Sequence, residues 1–504
     1  MSELLGLIIG GVQGVFSDGG FLWIFVGSFL GIVVCAIPGI SSSMATSILL
    51  PVTFVLTPGN AMIFLTSIYI ASTYGSSITA ILLNTPGSPE SAATTIDGHQ
   101  MTLKGLGCEA LGCSFGASLL GGMISYIVMI FAMIPIAWFA VKIGSPELFL
   151  LSLLGISVLG SLSTENMPKI LLSGFIGLLI GTIGITPTGE WRGTFNSMFL
   201  ADGVQVIPAI IGFFAFSEVL TMIDQDFIVS SEVKMEKSLK RILKGMLLPF
   251  KYPATLIKSS IIGIIIGIIP AAGGTVASFT SYVEAKRSSK RGKYFGTGEP
   301  EGIVAPESAN NADTGGALMT TLALGIPGGS TCAIILGALM LQGLRPGPQL
   351  VRDQMPLVYL IIMSAILSQV VMLAMSTAAG YWLTSLLTVS TRILGPVVAV
   401  CCMIGTFAVR NAIFDVWLMF AFGLLGYLMK EYDFSLPGIT LGVVLGSIAD
   451  SELIRTYMRF GDDFLLSFVT RPISIVFLSL VLLSILYPIF AGLFKKKGDT
   501  AEES

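Results

Sequence analysis

The chain has 504 residues, of which 53% are hydrophobic and only 11% are charged, and its mean hydropathy is +0.87. About 25% of the residues of an ordinary soluble domain are charged, so this composition excludes a water-soluble globular protein. The net charge of -3 gives no support for nucleic-acid binding.

Continuous apolar stretches recur along almost the whole chain, and about a dozen are long enough to cross all or part of a bilayer. The alternating pattern typical of an outer-membrane barrel is missing, so helices are the remaining way to satisfy backbone groups in lipid. We therefore predict an all-α, polytopic integral membrane protein. Small-x-x-x-small pairs such as Gly177/Gly181 and Gly442/Gly446 predict close helix packing.

The first half contains two Pro-Gly breaks within apolar sequence, at Pro38 and Pro86. A helix that begins inside a membrane presents free N–H groups and the positive end of its dipole, which attract carboxylates. The residues around both breaks are therefore predicted to bind substrate: Gly39, Ser41, Ser42, Ser43, Asn84, Pro86, Gly87 and Ser88. The amide oxygen of Asn84 is also a candidate ligand for a cation. Further along the chain, Asp97 and His99 are expected to lie in a loop.

A basic stretch divides the chain. Residues 1–223 are predicted to form a first half with broken helices near 38 and 86, and residues 224–258 a cytoplasmic linker rich in Lys and Arg. Residues 259–504 are predicted to form a second, inverted half with breaks near 270 and 327 and additional C-terminal helices.

The second half opens with an apolar stretch broken at Pro270 and followed by another basic cluster, between Lys286 and Lys293. If both basic clusters are cytoplasmic, the segment between them enters and returns as a re-entrant hairpin, because one unbroken span would separate them. Its predicted substrate-binding residues are Gly273, Gly274 and Thr275.

Asn310 and Asn311 open the next long segment, which ends at Pro327. Neutral amides offer oxygen to a cation without a permanent charge, so Asn310 and Asn311 join Asn84 as predicted ion ligands. Glu301 and Glu307 are further candidates for holding a proton or cation. The residues predicted to bind substrate at this break are Pro327, Gly328, Ser330 and Thr331.

The two halves resemble each other. The segment Gly31–Gly39 matches Gly263–Ala271 with an offset of 232 residues (263 − 31), and Leu83–Ser88 matches Leu324–Gly329 with an offset of 241 (324 − 83). Internal repeats of this kind are typical of secondary transporters. No Lys or Arg precedes Lys104, whereas the second hairpin has strongly basic flanks, so the repeats are predicted to be inverted.

Long motifs of the chain resemble the large membrane subunit of the tripartite tricarboxylate transporters, the TctA family. The resemblance covers nearly the whole chain, and the motifs are GIVVCAIPGISSSMATSILLPVTFVL (31–56), YIASTYGSSITAILLNTPGSPESAATTIDG (69–98), EGIVAPESANNADTGG, LGIPGGS and GLRPGP within 301–348, and TRPI (470–473).

The resemblance implies a cation-driven importer of a di- or tricarboxylate in the bacterial inner membrane, with Na⁺ as the coupling ion and no other cofactor. It also implies two partners, a small four-helix membrane subunit and a periplasmic solute-binding protein. The chain has Ile40-Ser41 and Ala271 where the family often has Leu-Gly and Gly, which leaves the identity of the carboxylate open.

The expected mechanism is secondary transport, in which two hairpins with tips at Pro38–Ser43 and Pro270–Thr275 clasp one substrate near the bilayer midplane. Elevator and rocking motions both remain open at this point. A channel is the first alternative, because broken helices also build selectivity filters. An intramembrane enzyme is the second, but a single histidine and few carboxylates within apolar sequence offer little catalytic material.

Overall fold

A computed structural model describes residues 2–37, 40–140, 142–161, 167–223, 238–270, 272–382 and 391–486. The regular structure in these ranges is helical except for one antiparallel pair of short strands, β1 (Gly184–Ile185) and β2 (Trp191–Arg192). The helices of the first half are α1 (Ser2–Ser17), α2 (Gly20–Cys35), α3 (Ser42–Leu49), α4 (Pro58–Leu83), α5 (Ala92–Leu103), α6 (Gly107–Ala140), α7 (Ser145–Ser161), α8 (Met167–Gly181), α9 (Val206–Ile210) and α10 (Ser217–Ile223). The helices that follow are α11 (Leu239–Met246), α12 (Pro253–Ile268), α13 (Gly273–Ser288), α14 (Glu301–Leu324), α15 (Ser330–Leu341), α16 (Pro348–Asp353), α17 (Met355–Trp382), α18 (Thr391–Arg410), α19 (Ile413–Glu431), α20 (Leu436–Phe460), α21 (Phe464–Thr470) and α22 (Pro472–Leu486).

Among the described residues, five helical segments are long and apolar enough to cross a membrane. Two further spans are possible if bent pairs count as one: α1 and α2 meet at 78°, and α11 and α12, through Lys251, at 82°. Seven further apolar helices are shorter. The predicted number of about a dozen full or partial spans is therefore reached only when these short helices are counted. The fold is that of an all-α, multi-pass membrane protein.

Glycines allow close helix packing at corresponding places in the two halves. A Cβ atom added to Gly31 of α2 would lie 2.8 Å from the carbonyl oxygen of Ile68 in α4, and one added to Gly263 of α12 would lie 2.2 Å from that of Ala309 in α14. The packing partners are 241 residues apart (309 − 68), as in the sequence comparison. Only glycine leaves room for such backbone contact.

Helices α12 and α13 lie antiparallel. Lys258 of α12 donates a hydrogen bond to Glu284 of α13 far from the break between them, whereas Ile266 and Ala277 share an apolar cluster near it. Both pairs lie almost symmetrically about residues 269–272, as the arms of a hairpin do. Gly273, whose φ of 70° suits glycine, begins the second arm.

The remaining helices form an outer group in which α7 and α8 pack on α20, and α19 packs on the Val206–Ile223 segment. The small-x-x-x-small pairs meet here as predicted, because a Cβ atom on Gly177 would lie 2.8 Å from the Cα atom of Gly442. The buried carboxylate of Glu147 in α7 accepts hydrogen bonds from Arg471 (2.5 Å) and Ser474 (2.7 Å) at the start of α22. This ion pair fixes the C-terminal helix to the outer group.

The division of the chain at residues 224–258 stays a prediction, and residues 224–237 lie outside the described ranges.

Candidate functional site

The Pro-Gly breaks at Pro86 and Pro327 lie inside the protein. A Cβ atom on Gly87 would lie 2.8 Å from both the carbonyl oxygen of Cys35 and the Cα atom of Ser76. A Cβ atom on Gly328 would lie 2.6 Å from the carbonyl oxygen of Gly267 and 2.5 Å from the Cα atom of Ala317. In the first half, the break therefore lies between the end of α2 and the long helix α4. In the second half, it lies between the end of α12 and the long helix α14.

The side chain of Glu90 lies where residues from both halves meet. Its Oε2 atom accepts hydrogen bonds from the hydroxyl groups of Ser42 at 3.2 Å and Ser88 at 3.5 Å. A Cβ atom on Gly274, in the second hairpin, would lie only 3.2 Å from Cγ of Glu90. Three of the four breaks thus contribute predicted site residues around one carboxylate.

Asn310 faces the same place from α14. A Cβ atom on Gly274 would lie 2.4 Å from the Oδ1 atom of Asn310, so the amide touches the backbone at the start of α13. Asn310 is 1% exposed, and neither atom of its amide has a hydrogen-bond partner among the residues that the structure describes. Because a buried polar group without a partner costs about 1–3 kcal/mol, this amide is a candidate ligand-binding group.

Asp313 lies one helical turn after Asn310, and residues three apart share a face of a helix. Asp313 is 2% exposed, and within the described ranges its Oδ1 atom also lacks a hydrogen-bond partner. In the described part of the chain, neither Asp313 nor Glu90 forms an ion pair with Lys, Arg or His. The site therefore contains two carboxyl groups and no cationic side chain bonded to them.

Asn311 has a different environment from its neighbour. Its Oδ1 atom accepts a hydrogen bond from Thr73 of α4 at 3.4 Å, and its Nδ2 atom donates to the carbonyl oxygen of Glu307 at 3.3 Å. These bonds join the two long helices where they cross. Of the two predicted asparagine ligands in α14, Asn310 has the free hydrogen-bonding capacity.

The other predicted residues of the first half have separate positions. Ser41 caps α3 by accepting the N–H of Met44, and its hydroxyl lies 3.0 Å from that of Ser43. Asn84 is exposed, has a φ of 58° and ends α4 as a left-handed C-cap, away from Glu90 at the fold-back of the chain. Pro86 is half-buried in that fold-back. Gly39 lies outside the described residues.

The predicted residues of the second half surround the start of α13 and α15. Gly329 approaches Gly273, with a distance of 3.8 Å between an added Cβ atom and the Cα atom of Gly273. The N–H of Gly328 donates to the hydroxyl of Thr321 at 3.4 Å. The remaining predicted residues line the same two helix starts: Thr275, Pro327, Ser330 and Thr331.

The expectation that Asp97 and His99 lie in a loop is wrong, because both residues belong to α5. Asp97 is fully buried and accepts N–H bonds from Gly296, Gly298 and Glu299 at 2.8–3.0 Å and the hydroxyl of Tyr282 at 2.9 Å. It therefore fixes α5 to the loop before α14.

Among the described residues, no Lys, Arg or His side chain pairs with the carboxyl groups of Glu301 and Glu307. Glu307 is fully buried and accepts hydroxyl hydrogen bonds from Thr94 at 2.6 Å and Ser118 at 2.7 Å. Glu301 accepts hydroxyl hydrogen bonds from Thr255 and Ser289, both at 2.5 Å, beside the base of the second hairpin. Only hydroxyl donors satisfy these two carboxyl groups among the described residues.

The sequence did not single out Glu90 or Asp313. Glu90 follows Ser88-Pro89 in a polar run that is easily taken for a loop, and only the fold-back of residues 84–88 brings it to the hairpins. Asp313 could have been found from the helical spacing, because it lies three residues after Asn310. The described residues contain no cluster of three or more His, Cys, Asp or Glu side chains suited to a metal ion.

Comparison with known proteins gives the same family as the motifs. Residues 21–441 match the family described as "Tripartite tricarboxylate transporter TctA family". The chain is 34% identical over 508 residues, covering all of both chains, to an uncharacterized 52.8 kDa protein in the TAR-I ttuC' 3' region of Agrobacterium vitis. It is 33% identical over 242 residues to an uncharacterized protein in the TAR-II ttuC' 3' region of the same organism, a match that covers 48% of this chain and 99% of that protein. No solved structure matches the chain. The chain therefore belongs to the tripartite tricarboxylate transporter TctA family.

Proposed function

We propose that the chain is the large transmembrane subunit of a binding-protein-dependent secondary transporter that imports a di- or tricarboxylate with Na⁺. Family membership makes it a transporter subunit and implies a small membrane subunit and a periplasmic binding protein as partners. The bacterial inner membrane is the location that such partners require. The observation that carries the proposal is the group of Glu90, Asn310 and Asp313 between the hairpin tips.

The charge of this group favours cation coupling. A carboxylate substrate would enter a place that already contains two carboxyl groups without an ion-paired cationic side chain. Charges at membrane depth are costly unless they are paired, so a cation or proton has to accompany the substrate. The free oxygens of Asn310 and Asp313 are hard ligands of the kind that suit Na⁺.

The substrate carboxylates are proposed to bind the helix starts that face this group. The start of α13 has no side-chain cap, which leaves the first N–H groups of its sixteen-residue helix for a ligand. At the start of α3, Ser41 already caps the helix and Ser42 donates to Glu90. The second hairpin therefore has more free donors for an anion than the first.

Two hydrogen bonds between the halves support a two-fold relation between the proposed repeats. Lys104, at the end of α5, donates to the carbonyl oxygen of Thr297 at the base of the second hairpin. Gln342, at the end of α15, donates to the carbonyl oxygen of Thr53 at the base of the first hairpin, at 3.0 Å. The donors are 238 residues apart (342 − 104), close to the offsets of the repeat. Each half thus donates a hydrogen bond to the hairpin base of the other, as expected for repeats related by a pseudo-two-fold axis, and the inversion itself stays a prediction from the charge distribution.

An elevator motion is the proposed form of alternating access. The hairpins, the Pro-Gly breaks and the long helices α4 and α14 touch through backbone atoms at Gly87, Gly263 and Gly328. Closely packed elements of this kind move together, because packed interiors do not deform continuously. The outer group of α7, α8 and α18–α20 would then provide the fixed frame.

The test is uptake of radiolabelled di- and tricarboxylates into proteoliposomes that contain this chain, its small membrane partner and the purified binding protein. An inward Na⁺ gradient is compared with a K⁺ gradient and with a proton gradient alone. Uptake that requires Na⁺ and the binding protein supports the proposal. Flux of bare ions without the binding protein would favour a channel and overturn it.

A variant pair makes the test specific to the site. Asp313→Asn removes one carboxylate from the group and is expected to lower Na⁺-driven uptake at least about tenfold, the effect of losing one charged ligand. Asp450→Asn is the matched control, because Asp450 bonds Arg192 at the other group of helices. Equal uptake by the two variants would remove Asp313 from the coupling site.

A further inference from the structure

A cleft with basic residues on its rim lies at the base of the second hairpin. Its volume is about 480 Å³, and it is bounded by the start of α12, the end of α13 and the loop that follows. Its lining residues include four cationic side chains and two carboxylates: Lys251, Lys258, Lys290, Arg291, Glu284 and Glu301. A volume of this size holds a small polar group such as a phosphate with its glycerol.

Two of the four cations have no partner among the described residues. Lys258 bonds Glu284, and Arg291 bonds Glu299 at 2.7 Å. Lys251 and Lys290 are exposed and form no ion pair or hydrogen bond with the described part of the chain. The cleft therefore carries two positive charges that are not used in ion pairs with the described residues and are free to meet an anionic ligand.

The neighbouring helix α11 fixes the level of the cleft in the membrane. It meets α12 at 82°, buries Ile242 and Gly245 against α6, and exposes an apolar row formed by Leu239, Leu243 and Leu247. Lys240 and Lys244 form an adjacent exposed basic row. An amphipathic helix with apolar and basic rows, nearly perpendicular to a membrane-inserted helix, lies in the interface with the lipid headgroups. The cleft opens at the same end of α12 and thus at the headgroup level.

The side of α12 next to the cleft is apolar and exposed. Ile261 and Ile265 are 49% and 55% exposed, and they follow Lys258 along one face at helical spacing. Phe250, just before α12, is 62% exposed. A ligand with a phosphate in the cleft and acyl chains along this face would satisfy both the charged and the apolar surface.

We propose that the cleft binds the phosphodiester headgroup of an anionic phospholipid, with Lys251 and Lys290 as its principal ligands. The headgroup occupies the space between the two arms of the hairpin, and the acyl chains lie against Ile261 and Ile265. The lipid thereby ties the base of the second hairpin to the bilayer surface. The proposal does not depend on which solute is transported.

The experiment is native mass spectrometry of the delipidated full chain titrated with phosphatidylglycerol, with phosphatidylcholine as the zwitterionic comparison. One saturable phosphatidylglycerol is expected, bound more tightly than phosphatidylcholine. The double variant K251Q/K290Q should weaken this binding about tenfold, because basic residues near the surface attract anionic lipid. The control K286Q/K293Q removes the same charge from the same end, but neither residue lines the cleft, so a change below about twofold is expected.

Four results would overturn the proposal. Equal binding of the two lipids, or equal losses in the two double variants, would mean that no specific headgroup site exists. Competition by inorganic phosphate as effective as that by the lipid would identify a site for a free anion. Loss of the bound lipid on adding the small membrane subunit would identify this face as a protein interface.

Discussion

The two hairpins occupy corresponding places in the chain but differ at their tips and at their bases. Ser42 and Gly274 are equivalent positions, with an offset of 232 (274 − 42), and both lie beside Glu90. One provides a hydroxyl group and the other an uncapped backbone. The two hairpins therefore present different groups at corresponding positions. The hydroxyl of Ser42 is already bonded to Glu90, whereas the first N–H groups of α13 have no side-chain cap.

The facing long helices enlarge this difference. Opposite the second hairpin, α14 carries Asn310 and Asp313, both with free polar atoms. The equivalent residues of α4 are Tyr69 and Ser72, with an offset of 241 (310 − 69). Among the described residues, α4 has unpartnered hydroxyl groups of its own at Thr66, Tyr74 and Ser77, but none at these two equivalent positions. We therefore expect matched substitutions at the two sets of positions to have unequal effects.

The largest effect is expected from Gly274→Ala. The added methyl group would lie 2.4 Å from Oδ1 of Asn310, so the hairpin tip or the amide has to move. Misplacement of a site by about 1 Å is expected to lower uptake about 100-fold, measured as initial rate in proteoliposomes. Gly329→Ala is the control, because its methyl group would meet only Cα of Gly273 at 3.8 Å. Equal losses in both variants would contradict a tight tip.

The bases of the hairpins are expected to differ in stability. Asp97 accepts four hydrogen bonds at the second base, whereas Gln342 makes one bond, to Thr53, at the first. Asp97→Asn is expected to lower the free energy of unfolding by about 2 kcal/mol, because charge-assisted bonds are lost. Gln342→Ala should cost about 1 kcal/mol. Thermal midpoints of the purified variants measure both, and the reverse order would sink this comparison.

A smaller effect is expected from Ser42→Ala, the counterpart of Gly274→Ala. It removes one hydroxyl donor from Glu90 without adding atoms, which corresponds to about 1 kcal/mol. The half-saturation concentration of Na⁺ or substrate should change about fivefold, with little change in maximal rate. Ser47→Ala is the control, since the hydroxyl of Ser47 in the same helix is buried and has no hydrogen-bond partner among the described residues.

The smallest effect is expected from Asn84→Gly, which tests the predicted role of Asn84 in substrate and ion binding. Glycine adopts the left-handed C-cap conformation as readily as asparagine. If Asn84 only ends α4, uptake and its Na⁺ dependence should change less than about twofold. A loss of Na⁺ dependence would instead identify Asn84 as an ion ligand in the moving protein.

Local sequence was informative wherever backbone chemistry decides the structure. Pro86, Pro270 and Pro327 all fall between helices, where the missing N–H of proline costs no helical hydrogen bond, and Pro38 lies outside the described residues. The offsets of the repeat could likewise be read from Gly and Pro, whose positions are restricted by packing.

Residues placed by long-range contacts were harder to interpret. The segment that contains Asp97 and His99 is polar enough to suggest a loop, yet it is helical and bonds to Ile81 and to the loop before α14. Glu90 gains its place from a fold-back that local patterns do not encode. The acidic part of the candidate site was therefore not predicted, whereas Asn310 was predicted from the cost of an amide in apolar surroundings, and its role as a ligand stays a prediction.

The bond between Gln342 and Thr53 joins residues 289 positions apart. At about 5–20 residues per second, the ribosome needs roughly 15–60 s to make the chain between them. During that interval the first hairpin is present without the residue that supports its base. The base of the first hairpin is therefore completed only after the second half has been synthesised and inserted. A chain that ends before residue 342 leaves the first hairpin without this hydrogen bond.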